Sequence, residues 1–250
     1  MKLKSCLGLV LLMGFVTTVS AAFAQESGAK AGQQVEAVFE SSDGAEVPYL
    51  IYLPKNYSAA SDQEFPLLFF LHGRGESNGP LSLVAKWGPP KFAARGDDLP
   101  YVIVSPQCPR SDRWSSDIQQ KRLAELLDAV YKQYRINEAG VFLTGLSMGG
   151  YGTWAMATNS PKRFAAVVPI CGGGDPTKAA NLIDVPIWVF HGDQDKPVPF
   201  EKSEKMVDAI KNAGGTKVRF TTMENVGHNC WSAAYATPEL YHWMFAQIKD

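Results

Sequence analysis

The chain has 250 residues, a formal net charge of −1 at pH 7 and 46% hydrophobic residues. This length and composition suit one globular domain with a core large enough to be stable by itself. The near-neutral charge and the absence of a basic stripe argue against nucleic acid as a partner. The sequence contains no phosphate-binding or dinucleotide-binding glycine motif and no clustered metal-ligand spacing, so we expect neither a cofactor nor a metal ion.

The N-terminus is typical of a secretory signal peptide. Two lysines precede an apolar stretch at 7–19, and Ala22-Phe23-Ala24 resembles the site at which such peptides are cleaved. The alternative interpretation is an N-terminal membrane anchor that is retained. We expect cleavage after Ala24, a flexible lead-in over residues 25–34 and a folded domain over residues 35–250. The mature protein would then be periplasmic or secreted, without stable membrane insertion.

Strand and helix signals alternate along the folded domain. Apolar and β-branched runs predict eight strands, at 35–39, 47–53, 65–71, 101–105, 141–144, 164–171, 186–191 and 218–222. Apolar residues at helical spacing predict helices at 118–134, 150–159, 200–212 and 238–248. The first two strands resemble an antiparallel pair joined by the turn Ser42-Asp43-Gly44, and the later alternation indicates a mostly parallel sheet with helices on both faces. Ligand sites in such sheets lie at the carboxyl ends of the strands.

A candidate nucleophile follows the fifth predicted strand, in Gly145-Leu146-Ser147-Met148-Gly149. The serine of this Gly-x-Ser-x-Gly pattern would lie on a tight turn between a strand and a helix, where small residues two positions away on each side relieve crowding. The turn would project the Ser147 hydroxyl at the carboxyl end of the sheet, beside a helix N-terminus that favours developing negative charge. The alternative is an ordinary glycine-rich turn.

His228 is the candidate general base among four histidines. It lies in a loop after the last strand, from which an imidazole can reach over the sheet edge toward Ser147. His72 and His191 each end a strand before a glycine, a position typical of packing at the strand end. His242 lies within the last helix and is expected to be structural.

The acid partner is expected in the loop after the seventh strand, because the chain order in this architecture is serine, acid, histidine. This loop holds Asp193 and Asp195. Asp195 lies farther from the strand and can turn back toward His228, so we favour it as the group that fixes the imidazole tautomer. Asp193 is expected to bond local backbone N–H groups. Asp175 and Asp184 are weaker candidates, because they precede the wrong strand and resemble turn residues.

Two backbone N–H groups are candidates for the oxyanion hole, the pair of donors that stabilises negative charge on a substrate carbonyl oxygen. One belongs to Met148, directly after the serine, and the other to Arg74 in the loop after the third strand. Gly73 and Gly75 flank Arg74 and allow its backbone to approach a ligand closely. The Arg74 side chain has three alternatives, namely solvation, pairing with Glu76 or substrate binding.

Several blocks of this sequence resemble the marker motifs of the α/β-hydrolase superfamily. The four main blocks are His72-Gly73-Arg74-Gly75-Glu76, Gly145-Leu146-Ser147-Met148-Gly149-Gly150, His191-Gly192-Asp193-Gln194-Asp195 and Gly227-His228-Asn229. Within the superfamily the chain most resembles small secreted carboxylesterases related to dienelactone hydrolases, phospholipase/carboxylesterases and feruloyl or acetylxylan esterases. It also resembles proteins described as predicted peptidases, to which the blocks 105–109 and 169–174 are similar.

The resemblance covers about residues 35–250 and implies both a fold and an activity. The fold is the α/β-hydrolase fold, with a mostly parallel eight-stranded sheet and helices on both faces. The activity is that of a carboxylesterase-type serine hydrolase, in which Ser147, Asp195 and His228 form a catalytic triad and hydrolysis passes through an acyl-enzyme. Dienelactone hydrolases themselves have a cysteine nucleophile where this chain has Ser147, which favours ester hydrolysis of the wider type.

The expected active site is an open cleft. Only residues 172–185 separate the sixth and seventh strands, where many members of the superfamily insert a lid, so we predict no large lid and no interfacial activation. Such a cleft suits small-molecule or polysaccharide-linked esters, such as acetyl or feruloyl esters. Trp87, Trp114 and Trp231 fall in or near predicted loops, where they either pack in the core or bind sugar or aromatic groups. Two other functions stay open: a serine peptidase with the same triad, and a non-catalytic binding protein on the same fold.

Three cysteines follow the predicted signal peptide, at Cys108, Cys171 and Cys230. The odd number allows at most one intramolecular disulfide, and the sequence does not assign it. We expect all three to be mainly small packing residues.

Overall fold

The structure is a computed structural model that describes residues 29–77 and 79–249. The predicted signal peptide and the first part of the predicted lead-in lie outside the described residues. Among the residues that are described, no helix is both long and apolar enough to cross a membrane.

An eight-stranded sheet forms the centre of the described chain. Its strands are β1 (Gln34–Glu40), β2 (Glu46–Tyr52), β3 (Phe65–Leu71), β4 (Val102–Pro106), β5 (Ile136–Leu146), β6 (Ala166–Ile170), β7 (Ile187–Gly192) and β8 (Val218–Met223). Their spatial order is β1-β2-β4-β3-β5-β6-β7-β8. The pairs β1/β2 and β2/β4 are antiparallel and every later pair is parallel. The mostly parallel eight-stranded sheet and its opening antiparallel pair are therefore confirmed.

Six α-helices connect and cover these strands in the described part of the chain. They are α1 (Gly88–Ala94), α2 (Asp117–Gln133), α3 (Met148–Asn159), α4 (Glu201–Asn212), α5 (Trp231–Tyr235) and α6 (Pro238–Phe245). The four long helices of the sequence interpretation are confirmed, although α6 ends three residues before the predicted end. The short helices α1 and α5 were not predicted, because five to seven residues give too few apolar repeats to define a period.

The core lies on both faces of the sheet. Successive side chains of β3 point to opposite faces, so Leu67 and Phe69 join one cluster and Leu68 and Phe70 join the other, and all four are fully buried. Buried side chains of α2, α3 and α4 cover the first face, and those of α1, α5 and α6 cover the second. A strand buried on both faces needs the continuous apolar run that the sequence of β3 has.

The connection between β6 and β7 contains a single 3₁₀ segment, Pro176–Leu182. It carries no α-helix, so the expected absence of a large lid at this connection is confirmed.

Candidate active site

Ser147 occupies a strained turn between β5 and α3. Its backbone has φ 54° and ψ −115°, a conformation that non-glycine residues rarely adopt and that is common at functional sites. The flanking glycines are required by close backbone packing. A Cβ at Gly149 would lie 1.9 Å from the carbonyl oxygen of Leu71, and one at Gly145 would lie 2.5 Å from the carbonyl oxygen of Gly149. The turn can therefore form only with residues that lack a side chain at both positions.

Ser147, His228 and Asp195 lie in one hydrogen-bonded series at the carboxyl edge of the sheet. Ser147 Oγ is 2.8 Å from Nε2 of His228, and Nδ1 of the same ring is 2.7 Å from Oδ2 of Asp195. The Asp195 side chain is fully buried, whereas the His228 ring is 22% exposed. With Nδ1–H donated to the carboxylate, Nε2 is left to accept the serine proton, which is the arrangement a general base needs.

The loop that follows β7 fixes the Asp195 carboxylate from several sides. Oδ1 accepts the backbone N–H of Val198 at 2.9 Å, and Oδ2 lies 3.1 Å from Nε2 of His191 as well as next to His228. The sequence interpretation treated His191 only as packing at a strand end and missed this contact. No local sequence signal indicates this contact, because it depends on how the loop after β7 folds back on the strand.

The other aspartates lie away from His228. Asp193 is exposed, and its own backbone N–H donates to Met223 O at 3.2 Å. Asp175 instead caps the 3₁₀ segment after β6, where its carboxylate accepts from the backbone N–H of Thr177 at 3.0 Å. Asp184 is exposed in the turn before β7. Within the described residues, the structure thus brings Asp195, and none of these three, to the imidazole.

The two proposed oxyanion donors stand at the first residues of helical turns. Met148 begins α3 and Arg74 begins a 3₁₀ turn, so neither backbone N–H has an acceptor within its own turn. Both residues line the same cavity as Ser147. Their role as the oxyanion hole stays a prediction.

The Arg74 side chain does not pair with Glu76. Its Nη1 donates to the carbonyl oxygens of Arg110 at 3.0 Å and Asp112 at 2.6 Å. Glu76 is buried instead, and burial raises the pKa of its carboxyl above the usual range. Arg74 therefore ties the loop after β3 to the loop after β4, and it also lines the cavity beside Ser147.

A cavity of about 460 Å³ opens over the serine. It is lined by Arg74, Arg113, Ser115, Ser147, Met148 and Tyr151. A second cavity of about 280 Å³ shares Ser115 and Tyr151 with the first and extends along α3. Polar side chains dominate both linings, and Met148 is the one large aliphatic side chain among them.

The two remaining histidines, His72 and His242, differ in burial. Burial lowers the pKa of His72 to about 4, and its ring accepts the backbone N–H of Cys108 at 3.0 Å. His242 is exposed on α6. Neither ring is hydrogen-bonded to Ser147. The burial of His72 agrees with the packing role expected for it, whereas the structural role expected for His242 stays a prediction.

Of the three tryptophans predicted in or near loops, one lies in the core and two lie beside the candidate site. Trp114 is fully buried and its indole N–H donates to His72 O at 3.0 Å, so it packs in the core. Trp231 is half-buried and packs against the His228 ring, with 5.2 Å between ring centroids. Trp87 packs edge-on against Trp231. The indole of Trp231 therefore helps to orient the candidate base.

All three described cysteines are free and buried. The sulfur of Cys171 and ligand atoms of Asp195 and His228 lie within 4.8 Å of one another, a spacing that could geometrically hold a metal ion. Burial, and then the adjacent Cys230 thiol, raise the pKa of Cys171 well above its usual value. Because a metal ligand must be the thiolate, this cluster is a poor metal site.

Comparison with known proteins identifies a family match across the candidate site. Residues 110–236, which are about half of the 250-residue chain, match the model of the dienelactone hydrolase family. The matched segment includes Ser147, Asp195 and His228.

The individual relatives and solved structures that are similar to this chain include esterases and peptidases. The chain is 25% identical over 199 residues to a bifunctional acetylxylan esterase/xylanase of Neocallimastix patriciarum. The matched region covers 75% of this chain and 28% of that protein. It is 26% identical over 186 residues to a probable feruloyl esterase C of Aspergillus oryzae. That matched region covers 72% of this chain and 66% of the relative. A solved structure of a thermostable esterase has a TM-score of 0.76 and 33% identity, over 87% of this chain and 64% of that one. The chain thus spans less than two thirds of the length of each of these three proteins.

Proposed function

The chain belongs to the dienelactone hydrolase family and is a hydrolase with the α/β-hydrolase fold, and on this premise we propose that it is a serine-dependent carboxylic ester hydrolase. The observation that carries the proposal is the continuous series from Ser147 Oγ through His228 to the buried Asp195 carboxylate, with distances of 2.8 and 2.7 Å. Such a series activates a hydroxyl that is otherwise a weak nucleophile at neutral pH.

The proposed mechanism begins when His228 Nε2 removes the proton from Ser147 as Oγ attacks the ester carbonyl carbon. Negative charge then develops on the carbonyl oxygen, where the backbone N–H groups of Met148 and Arg74 stabilise it. The imidazolium returns the proton to the leaving alcohol, and the acyl-enzyme remains. Water activated by His228 then releases the acid, and Asp195 stabilises the imidazolium in both half-reactions without taking its proton.

We propose short or compact acyl groups on small-molecule or polysaccharide-linked esters as substrates. The cavity beside Ser147 offers one large aliphatic side chain, Met148, so a long acyl chain would find few aliphatic partners there. The polar second cavity gives a hydroxyl-rich substrate hydrogen-bond partners. The names of the two relatives, an acetylxylan esterase/xylanase and a probable feruloyl esterase, support the same class. Export of the protein, which the N-terminal sequence favours, would suit a polymeric substrate.

Hydrolysis by wild-type protein and Ser147→Ala tests this proposal. The substrates are p-nitrophenyl acetate, butyrate and octanoate, with methyl ferulate alongside. We expect the variant to lose about 10⁴-fold or more in kcat, and the wild type to prefer acetate and butyrate over octanoate. Ser160→Ala, at the far end of α3, is the matched control and should keep wild-type activity.

Three outcomes would contradict parts of the proposal. Equal activity of Ser147→Ala and wild type would exclude Ser147 as the nucleophile. Cleavage of chromogenic peptides in preference to esters, lost in the same variant, would make the enzyme a peptidase. A wild-type protein that neither hydrolyses an ester nor is labelled at Ser147 by a fluorophosphonate would be a binding protein on this fold.

A further inference from the structure

The carboxylate of Asp195 has a second histidine partner. Oδ2 lies 2.7 Å from Nδ1 of His228 and 3.1 Å from Nε2 of His191. The side chains of Asp195 and His191 are both fully buried. Two imidazole rings therefore share one carboxylate oxygen, and one of these rings has no access to solvent.

The direction of the His191 contact follows from the neighbours of its ring. Nε2 also lies 2.9 Å from the carbonyl oxygen of Val198. An ionised carboxylate and a carbonyl can only accept, so Nε2 carries a proton whether the ring is neutral or charged. Burial lowers the pKa of His191, which favours the neutral ring. His191 is thus a hydrogen-bond donor to Asp195.

The opposite side of the ring is anchored to two other elements. Nδ1 lies 2.7 Å from Oγ of Ser203 on α4, and this hydroxyl lies 2.8 Å from the carbonyl oxygen of Gly172 after β6. The ring also packs against Phe200, with 5.7 Å between ring centroids. These contacts leave His191 little freedom to turn away from the carboxylate.

We propose that His191 is a positioning residue for the reaction. It orients the Asp195 carboxylate and draws negative charge from it. In this way His191 sets the pH range in which His228 acts as a base. The inference rests on the proposed function of Ser147, Asp195 and His228. A donor on Oδ2 weakens the attraction of the carboxylate for a proton and for the imidazolium beside it. The imidazolium that forms on His228 during the reaction is therefore stabilised less than it would be beside an unassisted carboxylate.

Other titratable groups face the same carboxylate and imidazole. The Cys171 thiol lies within 4.8 Å of both, and Tyr151 from α3 interacts electrostatically with Asp195. Burial raises the pKa of each above its usual value, so both stay neutral in the acidic half of the pH range. These two groups therefore do not contribute to the acidic limb of the kcat/KM profile.

The test compares His191→Phe, which fills the space without a donor, with His191→Gln, which can present an N–H near the position of Nε2. Hydrolysis of p-nitrophenyl acetate is measured from pH 5 to 9. For His191→Phe we expect the apparent pKa of the acidic limb to rise by about 0.5–1 unit. This is about half of the 1–2 units that loss of one hydrogen bond to a charged group would cause at the carboxylate itself, because the imidazole feels the change only through Asp195. We expect kcat to fall about tenfold and KM to stay within about twofold, because His191 does not line the cavity. His191→Gln should restore the wild-type acidic limb.

A folded His191→Phe with the wild-type acidic limb would overturn the proposal, whatever its kcat. If this variant does not fold, nitrogen NMR of the histidines in the wild-type protein decides instead. A proton on Nε2 of His191 supports the proposal, and a ring with an unprotonated Nε2 overturns it. Loss of the proposed function itself is recognised separately, because Ser147→Ala would then be as active as wild type.

Discussion

Asp193 and Asp195 lie two residues apart in the same loop, yet their side chains have different environments. Asp193 is exposed, whereas Asp195 is buried and accepts hydrogen bonds from Val198 N–H and His228. A carboxylate can stabilise an imidazolium strongly only when it is fixed and shielded from water.

Asparagine at each position therefore tests whether Asp195, and not Asp193, is the catalytic carboxylate. Asp195→Asn should lower kcat by about 10³–10⁴-fold, because the amide neither stabilises the imidazolium nor selects the required tautomer of His228. Asp193→Asn, the matched control in the same loop, should stay within about twofold of wild type. The measurement is kcat and KM with p-nitrophenyl acetate, together with thermal unfolding of both variants. An active Asp195→Asn protein would remove Asp195 from the proposed mechanism.

Sequence was sufficient to identify the residues that meet at the site but not all the contacts they make. The turn chemistry around Ser147 and the order serine, acid, histidine are local or topological signals, and they identified three side chains that the structure brings together. The contact of His191 with Asp195 depends on how one loop folds back on its strand. The burial of Trp114 depends on packing between distant segments. Neither can be inferred from spacing along the chain.

At the scale of secondary-structure elements, α3 lies very close to β3. The backbone at Gly149, in the first turn of α3, lies so near Leu71 at the end of β3 that a Cβ would be 1.9 Å from its carbonyl oxygen. This close approach, rather than any freedom of backbone angle, explains the glycine two residues after Ser147. It also holds the serine turn at a fixed height above the sheet.

Gly149→Ala should therefore displace α3 from β3. We expect a loss of stability of several kcal/mol and of most of the hydrolase activity, since backbone atoms cannot yield as a flexible side chain can. Gly75→Ala is the contrasting variant, because a Cβ there would meet no atom within 4 Å and its φ is not in the left-handed region. Thermal unfolding and activity are measured for both. A Gly149→Ala protein as stable and active as wild type would contradict the packing described here.

The elements themselves were predictable where a period could be read over many residues. The bounds of β3 are those of its apolar run, and α2 begins one residue from the predicted start. β5 begins at Ile136, five residues before its apolar run, because this end pairs with Phe65 across a shift in register. That extension is set by the neighbouring strand and leaves no pattern in the sequence of β5 itself.

At the scale of the whole molecule, a buried histidine couples folding to pH. His72 lies at the carboxyl end of β3, where Nδ1 donates to Gly73 O at 2.6 Å and Nε2 accepts the backbone N–H of Cys108 at 3.0 Å. The ring thus joins the loop after β3 to the segment after β4. Burial lowers the pKa of His72 from 6.5 to about 4, because a charged ring there would be desolvated and Nε2 would no longer accept.

The unfolded chain therefore takes up a proton at His72 at a higher pH than the folded protein does. Stability from this group is fully present above pH 6.5 and is lost as the pH falls toward 4. Between pH 7.5 and 4.5 the loss should be about 2–3 kcal/mol. The nearby Glu76, whose pKa is raised by burial, acts in the opposite direction, so the wild type must be compared with a variant that keeps Glu76.

His72→Gln provides this comparison in urea unfolding at the two pH values. The variant should be less stable than wild type at pH 7.5, and the difference should shrink by about 2–3 kcal/mol at pH 4.5, because the variant has no imidazole to protonate. His242→Gln, at an exposed position on α6, should follow the wild type at both pH values. A stability difference between His72→Gln and wild type that is the same at both pH values would mean that His72 is not held neutral by the fold. The loss of stability at low pH would then have to come from other titratable groups.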